Sequence, residues 1–77
     1  MKQFRVLGSG CASCKQTMAM IEQVAAQRGV AIGLEKVESL QQIVAYGVLS
    51  TPAVVLDGVV VHAGGIPARE QVEQWLA

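Results

Sequence analysis

Net charge is missing from this chain: six basic and six acidic residues cancel to a formal charge of zero. Without a net field there is nothing to draw nucleic acid or an anionic lipid surface, so both partners are disfavoured. Long apolar stretches are missing as well. No run approaches the roughly 20 residues needed to span a bilayer. The opening Met1-Lys2-Gln3-Phe4-Arg5 lacks the apolar core of a secretory leader, and Phe4 to Leu7 is too short to be one. A cytoplasmic location is the expectation. Repeats, linkers and low-complexity tracts are absent. Seventy-seven residues make a single domain, 1–77, with no room for a second core. With 52% hydrophobic residues and a mean hydropathy of +0.42, the chain is too apolar to be disordered.

Cysteine is scarce too, and both copies fall in one short segment, Gly8-Ser9-Gly10-Cys11-Ala12-Ser13-Cys14. An apolar strand hands over to an amphipathic helix there. A thiol at a helix N-terminus faces unpaired backbone N–H groups and the positive end of the helix dipole, which favour thiolate over thiol. Thiolate is both nucleophile and metal ligand. In a reducing compartment a close cysteine pair points to catalysis or metal binding rather than to a permanent staple. A disulfide closing so short a loop also removes little unfolded-state entropy.

The pattern predicts a first strand over Gln3–Leu7 and a helix from about Cys11 to Gln27. The helix's apolar stripe is Cys11, Cys14, Met18, Ile21, Val24 and Ala25. Arg28 and Gly29 are stop signals. Val30–Val37 reads as a second strand. Ser39-Leu40-Gln41-Gln42 has the form of a capping box, opening a short helix expected to bury Leu40, Ile43 and Val44 and to stop at Gly47. Ala53–Leu56 and Val59–His62 flank Asp57-Gly58, a strong hairpin signal. The unalternating Ala53–Leu56 suggests a strand covered on both faces. Pro67 suits the first position of a last helix burying Ala68, Val72, Trp75 and Leu76. The order is β-α-β-α-β-β-α, a four-stranded mixed sheet with helices on both faces.

Three segments together resemble the small thioredoxin-like and glutaredoxin-like members of the thioredoxin superfamily. They are Cys11-Ala12-Ser13-Cys14 at a strand–helix junction, Tyr46-Gly47-Val48-Leu49-Ser50-Thr51-Pro52, and the hairpin Ala53–Val61 followed by Gly65 and Pro67. The resemblance implies a minimal thioredoxin-like fold and thiol–disulfide exchange with protein or low-molecular-weight disulfides. In that reading Cys11 is the attacking thiolate and Cys14 the resolving thiol. Pro52 is cis after Thr51, whose backbone pairs with an extended substrate segment. Gly10, Ser13, Thr51, Pro52 and Gly65 are the substrate-binding positions that it implies. It implies no metal and no cofactor, a reductase or thiol electron donor as partner, and a monomer.

The segments also depart from the pattern. Gly10 stands where thioredoxins carry tryptophan before the first cysteine, and Ala12-Ser13 replaces Gly-Pro. The first strand has no carboxylate to accept the resolving cysteine's proton. Lys15 and Thr51 do not make a glutathione cleft. Met18 and Met20 read as core, His62 as a rim residue, and Trp75 as the anchor of the last helix.

The rival reading is a soft-metal carrier, since Cys-x-x-Cys at a strand–helix junction is similar to copper chaperone domains and two thiolates suit Cu(I). Those domains end in a strand and place methionine where Ser9 stands. Zinc would want four ligands. A third class is an interaction module whose disulfide only locks a loop.

Overall fold

Strand β1 (Lys2–Leu7) leads into α1 (Ala12–Arg28), β2 (Ile32–Val37), α2 (Leu40–Ala45), β3 (Ala53–Leu56), β4 (Val59–Ala63) and α3 (Arg69–Trp75), the expected order. The computed structural model describes residues 1–8 and 12–77. Ser9, Gly10 and Cys11 fall outside the described residues. The sheet runs β2-β1-β3-β4. β1 and β2 are parallel, from Lys2 opposite Ile32 to Leu7 opposite Val37, and α1 makes the crossover that such a pair requires. β3 lies antiparallel to both β1 and β4.

Side chains alternate across a strand, so neighbours in β1 serve different cores. Phe4 and Val6 join Val54, Ile21, Val24, Val72 and others beneath α1 and α3. Leu7 joins Val37, Ala53, Val55, Ile43 and Val48 on the face that α2 covers. Helices therefore lie on both faces, two on one and one on the other. β3 runs through the interior, and its residues Ala53, Val54 and Val55 are all buried. That accounts for its unalternating sequence.

The six-residue α2 shields only one end of its face. The other end carries Gln3 and Arg5, both exposed. Arg5 donates to the Tyr46 hydroxyl at 2.7 Å and sits 3.4 Å from the Glu35 carboxylate of the paired strand. The Tyr46 hydroxyl, and after it Glu35, hold the guanidinium above its ordinary range. Polar side chains thus cover the part of the sheet that the helix does not reach.

Local chemistry sets most of the element ends. Asp57 and Gly58 both take positive φ, 49° and 85°, as a two-residue turn between right-twisted strands demands. The Asp57 carboxylate accepts from the Gln3 N–H at 2.9 Å and its own N–H donates to the Gln3 carbonyl at 2.8 Å, pinning the hairpin to β1. α1 closes with Val30 N–H on the Ala25 carbonyl and Gly29 N–H on the Ala26 carbonyl, a Schellman pair around a glycine at φ 66°. Ser39 caps α2 by accepting from Gln42 N–H.

Several boundaries and burial expectations are corrected. α1 is described from Ala12 and reaches Arg28, one residue past Gln27. β1 begins at Lys2, β2 is shorter, from Ile32, and β4 extends to Ala63. Leu40 and Val44 are not core: they are 73% and 61% exposed. A helix of one and a half turns presents a single residue squarely to the sheet, and Ile43 is that residue. Ala68 is the exposed N-cap of α3 rather than a core residue, and its N–H is held by Gln71 Oε1 at 3.0 Å. Pro67 is buried just ahead of that cap. Trp75 is half-buried, its ring 6.4 Å from both Phe4 and His62. Met18 and Met20 pack against the larger core, as expected.

Ile21→Val, which removes one methyl group from a fully buried site, is expected to cost about 0.5–1.5 kcal/mol in urea unfolding. Val44→Ala on the exposed side of α2 should stay within about 0.5 kcal/mol of the parent chain. A large loss at Val44 would contradict the exposed placement of that side chain.

Candidate active site

Of the two cysteines, Cys14 lies among the described residues, in the first turn of α1 and 1% exposed. It is disulfide-bonded. The first turn of α1 carries no acidic side chain. Among the described residues, no carboxylate in that turn offsets the positive end of the helix dipole. Cys11 and Gly10, the predicted attacking residue and its neighbour, lie outside the described residues.

The Cys14 sulfur occupies the space that a side chain would fill at Gly8. A Cβ placed on Gly8 would overlap that sulfur and would lie 3.6 Å from the Thr51 Cβ. Gly8 is held in place by its N–H on the Val37 carbonyl at 2.9 Å, which continues the β1–β2 ladder by one residue. The sequence pattern marks Gly8 as a bend between strand and helix and does not reveal this socket. The available signal was its position directly after a strand whose last residues face a helix N-terminus.

The segment before β3 approaches the same Gly8 position through the Thr51 Cβ. The Thr51–Pro52 peptide bond is cis. Thr51 is exposed and Pro52 is fully buried. The Pro52 carbonyl accepts from the Gly64 N–H at 3.0 Å, which ties the glycine pair after β4 to the same segment. Gly65 is exposed, at φ 78°, with its carbonyl 3.1 Å from His62 Nε2. Ser13 is half-buried, and its carbonyl accepts from the Thr17 hydroxyl at 2.8 Å. Thr17 is the buried polar residue that the helix pattern did not reveal, and its own helix satisfies it. The fold thus gathers Gly8, Cys14, Thr51 and Pro52 at one end of the sheet, with Gly64–Gly65 anchored behind them.

Among the described residues no group of three or more His, Cys, Asp or Glu is placed to hold a metal ion. No helix among them is long and apolar enough to cross a membrane.

A mixed four-stranded sheet, two helices on one face, one on the other, and a cysteine at the first crossover define a thioredoxin-like α/β protein. A family model of the thioredoxin domain matches residues 2–77, and the chain belongs to that family. It is 32% identical over 72 residues to a thioredoxin of Methanocaldococcus jannaschii, covering 94% of this chain and 83% of that protein. Among solved structures, a mutant thioredoxin from Halobacterium salinarum NRC-1 superposes with a TM-score of 0.72 at 22% identity. That match covers 97% of this chain and 71% of the other, and it speaks for the fold. None of these comparisons favours the soft-metal carrier.

Gly8→Ala should cost about 1–3 kcal/mol of stability, measured by urea unfolding with all thiols kept reduced. The loss is expected to shrink in a Cys14→Ala background, because the overlapping sulfur is gone. An equal cost in both backgrounds would show that the sulfur is not what Gly8 accommodates.

Proposed function

We propose that the protein is a thiol–disulfide oxidoreductase in which Cys11 and Cys14 are the redox pair. Family membership supports this class of activity. The observation that carries the assignment to these residues is the burial of Cys14 at the start of α1, against Gly8 and beside the Thr51–Pro52 segment. A buried sulfur is poorly placed to meet a substrate first, and well placed to resolve what its partner captures.

The exchange proceeds in two displacements. The Cys11 thiolate attacks one sulfur of a substrate disulfide, forming a Cys11–substrate bond and releasing the other substrate sulfur as thiolate. Cys14, on losing its proton, attacks Cys11. The Cys11–Cys14 bond forms and the second substrate thiol leaves. Two electrons pass from the protein to the substrate, and each released thiolate takes a proton. A reductase or small dithiol donor restores the reduced pair. A thiolate at position 11, just ahead of α1 in the chain, is the form that a helix N-terminus favours. No carboxylate stands on β1 to take the Cys14 proton, since its polar residues are Lys2, Gln3 and Arg5. That proton therefore leaves through water or the departing substrate thiolate.

Thr51, exposed beside the sulfur, offers its backbone to an extended substrate, and Gly10, Ser13, Pro52 and Gly65 complete the contact surface. A cytoplasmic, monomeric protein with no added cofactor fits this chemistry, in which the cysteines themselves carry the electrons.

With a disulfide peptide as substrate, Cys11→Ser should abolish exchange and Cys14→Ser should accumulate a mixed disulfide detectable by mass spectrometry. Adduct formation by Cys11→Ser together with none by Cys14→Ser would reverse the two roles. Stoichiometric Cu(I) retention by the parent chain with no disulfide exchange would replace the reading with the soft-metal carrier.

A further inference from the structure

Strict alternation along β4 would turn His62 to the same side as Val60, which packs against the smaller core beneath α2. The register prevents this. Val55 lies opposite Val60 while Val54 lies opposite His62, so Val61 is the extra residue of a β-bulge. Residues directly opposite in an antiparallel pair share a face, and Val54 belongs to the larger core. His62 is thereby turned to the α3 side, where its ring stands 6.4 Å from that of Trp75. Trp75 itself packs against the core, 6.4 Å from the Phe4 ring. The imidazole therefore has a fixed wall behind it.

Its Nε2 lies 3.1 Å from the Gly65 carbonyl. A carbonyl only accepts, so the ring is the donor. Gly64 and Gly65 take φ of 83° and 78°, two successive left-handed residues with no side chains to hold them. Hydrogen bonds hold them instead. The Gly65 carbonyl is tied back to His62, and the Gly64 N–H donates to the Pro52 carbonyl at 3.0 Å. The turn also packs closely on the residue before Thr51, since a Cβ on Gly64 would stand 3.3 Å from the Ser50 Cβ. A line of contacts thus runs from Trp75 through His62 and the glycine turn to the Thr51–Pro52 segment.

We infer that His62 is a positioning residue of the redox site: it holds the Gly64–Gly65 turn on the Pro52 carbonyl and so fixes the Thr51–Pro52 segment along which a polypeptide disulfide aligns its backbone. The inference rests on the oxidoreductase reading above and adds a residue that acts through the turn, not on the sulfurs. Without the imidazole donor the two glycines regain their backbone freedom, and an incoming peptide must bear the cost of ordering them. A small disulfide with no backbone amides to align draws on that order far less.

The test compares exchange rates of the reduced protein with a synthetic peptide disulfide and with hydroxyethyl disulfide, followed by mass spectrometry. His62→Phe keeps a ring against Trp75 and removes the donor. His62→Gln removes the ring and keeps an N–H donor at the same number of bonds from Cα, whereas His62→Asn carries the same amide one bond short. In the Phe and Asn variants the peptide-to-hydroxyethyl rate ratio should fall about three- to tenfold, the worth of one hydrogen bond. The Gln variant should hold the ratio within about twofold of the parent protein.

A parent-like ratio in the Phe and Asn variants, with both rates intact or both slowed in proportion, would overturn the positioning role and leave the oxidoreductase reading standing. So would a Gln variant whose ratio falls as far as that of the Phe variant, because the ring and not the donor would then matter. Failure of the parent protein to exchange with either disulfide would sink both readings.

Discussion

The absence of a side chain at Gly8 is the constraint on which the site depends. Gly8 is hydrogen-bonded to Val37 at the end of the parallel ladder, so its backbone is not free to retreat. The first turn of α1 settles onto the sheet until the Cys14 sulfur fills the space left there. Any larger residue would lift the helix start, and Ile21, Val24 and Ala25 further along α1 would lose their seat against Phe4 and Val6. Close packing makes such a displacement costly along the helix, not only at its tip. One missing methyl group thus seats both the Cys14 sulfur and the helix that carries it.

The same junction is where the two cores come closest. β1 alternates at its start, with Gln3 and Arg5 outside and Phe4 inside, and ceases to alternate at Val6 and Leu7. Both of those residues are wholly buried, one under α1 and α3, the other under α2. Ala53 and Val54 repeat the arrangement in the adjacent strand, opposite Leu7 and Val6. The end of the sheet nearest the sulfur is therefore its most completely covered part. The opposite end is left to Gln3, Arg5 and Glu35. Burial is concentrated around the Cys14 sulfur, and polar side chains cover the end of the sheet away from it.

Much of this was legible in the sequence because it is written in local chemistry. Asp57-Gly58, Gly29 and Ser39 each specify a backbone conformation or a hydrogen bond within a few residues, and each stands where the pattern placed it. The order of elements followed from the same signals, and the family resemblance from the cysteine spacing and the segment ending at Pro52. Burial in α2 was not legible. Leu40, Ile43 and Val44 are equivalent to a periodicity argument, and only the helix length and axis decide that Ile43 alone goes inward. Ala68 misled for a related reason, since the last helix starts two residues after Pro67 and not at it. Thr17 was invisible because its partner, the Ser13 carbonyl, belongs to its own helix. Gly8 could be read as a bend but not as a socket, because the depth of the helix above it is a tertiary quantity. Cys11 and Gly10 lie outside the described residues, and their roles rest on sequence and family alone.

Thr51 joins the legible and illegible halves of the site. Its Cβ borders the socket that holds the sulfur, and the residue also lines the groove formed by the apolar residues α2 leaves outside. A longer α2 would have covered more of the sheet and turned Leu40 and Val44 into ordinary core. The six-residue helix instead stops at Gly47, and Leu49 beyond it is left 99% exposed. Exposing three large apolar side chains costs a small domain solubility and contributes nothing to its own folding. The shortness of one helix accordingly decides which apolar residues the fold leaves in water.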